Sequence, residues 1–385
     1  MKSKLLTLVL CVLVQGCNKL DDYMLGKDNT PQPKELKQID SKLTVSQKWS
    51  APVGKSHKNL GYLKLQPVAQ GGLIYTADAS GLVQAVNKSN GSIKWSTTLK
   101  HSLVSGPAVA DGVVAVGTDN SSLVLLSQTN GKELWQSNLS GELLSPPAIA
   151  HHKVIAKTID GKVYAFDVAN GKQLWMVEHG SPNLVLKASS SPVVLGNLVL
   201  IGFSDGKLEA LELDSGRIVW QRSMAYASGS SDVERLVDID ADPIIKNNVA
   251  YLATYQGYIG ALSLDNGEFI WKKPGSVYKN ILFHANNLYI TDSNDVLWSI
   301  DSKTGNVNWK QTALKARGLT EPVLIGNDLV VGDKTGYLHF LDTQAGDLLA
   351  RSQLSGGVSN APIVIGRNLY VLTNNGMLNQ LTVSG

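Results

Sequence analysis

The stretch ERLVDIDADPII, residues 234 to 245, sets Asp238, Asp240 and Asp242 on alternate positions, with Glu234 and Arg235 just ahead. Carboxylates so spaced suit a cation cradle, an acid–base group, a charged edge for a partner, or a solvated loop. The calcium reading fails by position. An EF-hand-type loop starting at Asp238 needs glycine at its sixth place and glutamate at its twelfth, and the chain has Pro243 and Val249 there. If the stretch enters a strand, alternation points all three acids to one side, where like charges need a basic partner or solvent. The seven histidines, His151 and His152 among them, follow no metal or triad spacing, and no glycine-rich phosphate loop appears. We therefore expect no catalytic group, no metal and no cofactor. The role of the acids depends on the elements that hold them.

The chain has 385 residues, 43% apolar and 17% charged, which describes a folded globular protein. Its formal charge is +3, and Lys2 and Lys4 lie in a leader, so the remainder is near neutral and lacks a nucleic-acid footprint. The leader is a basic MKSK followed by ten apolar residues, LLTLVLCVLV, too few to span a bilayer and right for a signal peptide. The following VQGC resembles the lipobox of bacterial lipoproteins. That resemblance implies cleavage before Cys17 and lipidation of its thiol, although Gln15 departs from the usual small residue. Cys11 lies inside the leader, so the exported body has no thiol for a disulfide or a metal. In the lipoproteins it resembles, an aspartate just after the lipidated cysteine favours inner-membrane retention; this chain has Asn18 there, so the resemblance implies the outer membrane. The expected organisation is a signal peptide over 1–16, the lipidated cysteine with a flexible tether over 17–42, and one domain over 43–385.

That domain is built on a repeat. NGSIKW, NGKELW, NGKQLW, SGRIVW, NGEFIW and TGNVNW each put a glycine four residues before a tryptophan, and AGDLLA repeats the unit with Ala350 in its place. Prolines 67, 107, 147, 192 and 243 each precede a tryptophan by 28 residues, and Pro322 precedes Ala350 by the same interval. Short runs of period two, separated by Gly, Asn and Asp turns, predict antiparallel strands joined by hairpins. A period near 40 with four strands per unit predicts an all-β, eight-bladed propeller of four-stranded antiparallel blades. The eighth unit, opening at Pro362, stops at LTVSG without its last strand, and KLTVSQKW, ending at Trp49, supplies one. We expect the strand at about 43 to 50 to close the ring, which removes two sheet edges. One tryptophan per unit at fixed register is packing between blades.

The unit A-[LF]-[DES]-x-x-x-G-x-x-x-W resembles the PQQ-type propeller repeat over residues 67 to 385. Two families share it. Quinoprotein dehydrogenases hold pyrroloquinoline quinone and calcium in such a ring, but are usually longer and carry an adjacent-cysteine disulfide that this chain lacks. RLVDIDADPII and NLVLKASSSPVV are instead similar to two segments of the BamB family, lipoproteins of the outer-membrane β-barrel assembly machinery. The resemblance implies a non-catalytic scaffold, anchored by lipid to the outer membrane on its periplasmic face, that binds the POTRA domains of BamA and assists barrel assembly. By position it implies partner contacts at Leu184, Leu186, Lys187, Asp238 and Asp240. Lys187 stands where the family has arginine, keeping the charge without the planar fork. Exposed blade edges would also offer unfolded outer-membrane protein clients a place to add a strand. The alternative is a PQQ- and calcium-dependent dehydrogenase or related ligand-binding propeller.

The residues alone point to the same surface. Most connectors from a tryptophan to the next proline run about a dozen residues, but Trp175 to Pro192 is 17 and Trp220 to Pro243 is 23. These two are consecutive, so they neighbour each other on one face, and one-sided insertions mark the binding side of repeat folds. NLVLK brings aliphatics to one and the acids charge to the other, the anatomy of an interface. Glu234 and Arg235 are expected to pair internally.

Overall fold

The computed structural model describes residues 31–55, 63–182, 184–185, 189–226 and 230–385. The leader, Cys17, Leu186 and Lys187 lie outside the described residues. Among the described residues, thirty-two strands, β1 to β32 in chain order, form eight four-stranded sheets. Each sheet is antiparallel and ordered from an inner strand, three residues long in all but the second blade, to an outer one, as in Val68–Gln70, Leu73–Ala77, Leu82–Asn87 and Ile93–Thr98 of the first blade. The two middle strands are buried and rich in Val, Ile, Leu and Ala, whereas the outer strand alternates exposed and covered positions. That is the pattern of small sheets stacked face to face around an axis.

The ring closes as the truncated last repeat requires. β1, Thr44–Pro52, lies antiparallel against β32, Met377–Ser384, and completes the eighth blade. Residues 31 to 42, within the expected tether, form no strand but are docked from Lys34 onward. The amide of Lys34 donates to Lys315 O at 3.0 Å, and that of Lys42 to Leu349 O at 2.8 Å. Arg317 and Arg351 hold the carbonyls of Lys34 and Lys37, and Leu36 packs beside Leu314 and Leu319. Leu36, Ile39 and Leu43 are the half-buried apolar residues of this otherwise polar segment, which lies across blades six and seven.

The repeated tryptophans join neighbouring blades, and the repeated glycines are their seats. Trp95, Trp135, Trp175, Trp271 and Trp309 each donate an indole N–H to a backbone carbonyl of the next blade at 2.8–3.1 Å. Each ring also lies on the next blade's turn glycine. At Gly216, an added Cβ would come within 2.7 Å of the Trp175 ring, and φ is +73°. The glycine thus serves twice, permitting the left-handed turn and leaving room for the indole. Trp49 lies on Gly91 without that indole hydrogen bond, and at two junctions the seated indole is replaced altogether. Ala350 faces the split blade, where the chain termini replace the hairpin, and packs with Leu43 and Val45 instead. Between the fourth and fifth blades Arg222 caps Gly267, donating to the carbonyls of Gly267 and Asn266 at 2.8 and 2.7 Å.

The contact has a measurable weight. Trp175→Ala is expected to cost about 3–5 kcal/mol by denaturant unfolding. Gly216→Ala should cost at least about 1 kcal/mol through its left-handed backbone alone, so an unchanged midpoint would show the seat to be incidental.

Candidate functional site

The two long connectors, 179–192 and 224–243, neighbour each other above the third to fifth blades. Their apolar side chains stand open: Leu184 is 41% exposed, Tyr226 76% and Val233 59%. Between them runs a groove of about 310 Å³, walled by Pro182, Leu184 and Val237 and rimmed by Asp205, Asp232 and Arg235. Glu234 accepts from the amides of Ser230 and Ser231 at 2.8 and 3.2 Å, while Arg235 lies 3.9 Å from Asp232. The expected pairing of Glu234 with Arg235 is therefore replaced by two local contacts that shape the loop.

The acid triplet sits elsewhere than alternation suggested. The first strand of blade five, β18, begins at Ile244 and ends at Lys246, so residues 236–242 precede it as irregular chain. All of 236–241 are buried, and Asp238 and Asp240 are each 1% exposed. Backbone bonds thread the segment between inner strands: Ile239 N donates to Phe203 O, Ser190 N to Ile239 O, and Tyr255 N to Asp238 O. Gly202 makes room, because a Cβ there would strike Ile239. A segment bonded on both sides has no solvent face, and so its acids do not share an exposed one.

Two lysines supply the basic partners. Lys64 Nζ donates to Asp240 O at 2.9 Å and reaches the Asp242 carboxylate at 3.2 Å. Lys157 Nζ donates to Gly202 O at 2.6 Å and Ser190 Oγ at 3.4 Å. Burial lowers Lys157 to about 7, with Lys64 pushing the same way and Asp240, Asp242 and Asp238 opposing. Burial raises Asp240 to about 7, and the Asp238 charge adds to the shift. Only Lys64–Asp242 is a direct ion pair; on Asp238 and Asp240 the lysines act through charge at longer range, which offsets part of the cost of burial. Lys157 carried a signal that motif reading passed over. It ends β11, Lys153–Lys157, at the register where other units have Ala77, Gly202, Ala253 and Gly332. Lys64 carried none; it lies 176 residues from Asp240.

The first connector is fixed at its root by His179. Its ring stacks on Phe203 with centroids 3.9 Å apart, and its nitrogens meet Glu209 at 2.7 Å and Asp205 at 3.0 Å. Burial works against the imidazolium, but the hydrogen bonds to Asp205 and Glu209 outweigh it and raise His179 to about 9. Asp205, despite burial, is held at about 2 by His179 and Lys207. Among the described residues no group of three or more His, Cys, Asp or Glu is gathered so as to hold a metal ion.

Fold and site together define an eight-bladed repeat propeller whose distinguishing surface is a pair of inter-blade connectors. A family model described as outer membrane protein assembly factor BamB matches residues 41–114 and 79–311. The chain is 73% identical over 384 residues to the outer membrane protein assembly factor BamB of Legionella pneumophila (strain Paris), covering 100% of both chains. It belongs to the BamB family. The solved structure of BamB from Moraxella catarrhalis superposes with a TM-score of 0.80 at 27% identity, covering 88% of this chain and 100% of that one. A europium-containing methanol dehydrogenase superposes at 0.73 with 15% identity, over 91% and 95% of the two chains, a likeness of fold alone.

The His179 cluster makes a signed prediction. A folded pKa raised above the unfolded value gives stability that is complete below about 6.5 and is lost as pH rises through about 9. The melting-temperature gap between wild type and His179→Gln should therefore be widest at pH 6 and shrink toward pH 10. A gap constant over that range would contradict the assignment.

Proposed function

We propose that this chain is a non-catalytic scaffold lipoprotein of the outer-membrane β-barrel assembly machinery, anchored through Cys17 on the periplasmic face of the outer membrane. Its partner is the POTRA region of the barrel protein BamA. The observation that carries the reading is the exposed apolar pair of connectors, Leu184 on one and Val233 with Tyr226 on the other, flanking a charged-rim groove. An apolar centre with a polar rim is how protein interfaces are built. Membership of the BamB family supports the assembly role.

Within this reading Leu184 touches the partner, and Leu186 and Lys187 belong to the same connector. Asp238 and Asp240 act differently from a contact pair: both are buried, and their main-chain carbonyls, taken by Tyr255 N and Lys64 Nζ, hold the second connector from beneath. Mutating them would weaken binding by loosening the surface above.

Purified full-length chain in detergent, titrated with the POTRA region of its cognate barrel protein, tests this. Leu184→Asp and Val233→Asp should each weaken binding at least about tenfold, equivalent to about 1.4 kcal/mol, with thermal unfolding unchanged. Full-strength binding by both variants would remove the groove from the interface. Stoichiometric binding of pyrroloquinoline quinone with calcium would overturn the scaffold reading.

A further inference from the structure

Eight blades place the connector entering blade one opposite the connector entering blade five, across the axis of the ring. Lys64 belongs to the first and Asp240 and Asp242 to the second. The Lys64 backbone is fixed on its own side by a bridge to Ser105 and by Gly106 N donating to Lys64 O at 3.0 Å. Its buried side chain then crosses to Asp240 O at 2.9 Å and to Asp242 Oδ1 at 3.2 Å. Asp242 passes the restraint on. The same Oδ1 accepts from the amide of Ser191 at 2.6 Å, at the end of the other long connector. Asp242 N donates to Asn280 Oδ1 at 2.8 Å, and Asn280 Nδ2 donates back to Asp242 Oδ2 at 3.3 Å. One ammonium thus ties the exits of both long connectors to the far side of the ring.

We propose that Lys64 is a positioning residue for the partner surface, a pin across the channel that holds both connectors in their binding geometry without touching the partner. The inference rests on the partner reading above for its consequence, but its structural half stands apart from it. The physical basis is preorganisation. A surface whose loops are already ordered loses less freedom on binding, and a surface competent only part of the time binds more weakly by that fraction. Lys64 also lies on the segment that follows β1, so the closure of the ring sets where the pin stands. The charge is well matched to its task, because an ammonium can serve a carbonyl and a carboxylate at once.

Lys64→Met in the full-length protein tests the pin through two readouts. The first is amide hydrogen exchange in the free protein; the second is affinity for the POTRA region. Exchange should rise at 189–192 and 230–243 while the middle strands of the blades stay protected, and affinity should fall about tenfold, as for a surface competent about a tenth of the time. Asp242→Asn should act in the same direction, and the effects of the two changes should combine less than additively, since they share the Lys64–Asp242 tie. If Lys64→Met fails to fold, Asp242→Asn reads the same two quantities. Unchanged connector exchange overturns the pin, as does a rise spread evenly over the ring, which is mere destabilisation. Faster connector exchange with undiminished affinity overturns the positioning role. Leu184→Asp separates the two levels: if it binds at full strength the partner reading fails, while the exchange result still judges the pin.

Discussion

No four-stranded sheet of this ring can bury both faces alone, and the stacking of each blade on the next supplies what it lacks. The contact that fixes the stacking is an indole laid on a glycine with its N–H given to a neighbouring carbonyl. Because the same contact recurs from blade to blade, the blades have little freedom of rotation relative to one another. The exceptions obey the same logic. Ala350 occurs where the neighbouring blade is split between the chain ends, and Arg222 takes over where it can cap Gly267 through two carbonyls. A rigid ring is what allows loops far apart in sequence to be held at fixed separation, and the rest of the structure depends on that.

Blade architecture is shared with proteins of unrelated activity, so function has to be sought in what the blades carry. Here it is a pair of long connectors resting on a buried group of charges. Burying Lys64, Lys157, Asp238 and Asp240 together is a poor way to gain stability, since apolar side chains would pack at lower desolvation cost. It is a good way to specify one loop geometry, because each charge has few places where it is satisfied. The exposed aliphatics above and the buried lysines and acids below form two halves of the proposed surface: the first would meet a partner, the second would keep them in place. His179, bridging Asp205 and Glu209 against Phe203, does for the root of the first connector what Lys64 does for the exit of the second.

Much of this was legible in the residues. The recurring strand, turn and tryptophan pattern specified eight units, the truncated last unit called for the closing strand, and connector lengths singled out the face that carries the groove. Periodicity misled where backbone bonding overrode it. DIDAD alternates like a strand, yet the segment is wedged between blades by bonds to Phe203 and Ser190, so both faces are buried. Lys157 could have been noticed as a charge at a register that is uncharged in the other blades. Lys64 could not, because nothing local marks a side chain whose partner is across the ring. Nor could composition foresee the docking of residues 34–42, which depends on two arginines of distant blades, Arg317 and Arg351.

The central claim is that the connectors, rather than the outer strands of the blades, make the partner contact. A photo-crosslinking residue placed in living cells at Leu184 or Val233, and for comparison at the exposed outer-strand positions Ile93 or Ile270, tests it directly. Adducts with the barrel protein from the two connector positions, and none from the outer strands, are the predicted result. Adducts from Ile93 or Ile270 with none from Leu184 or Val233 would contradict it.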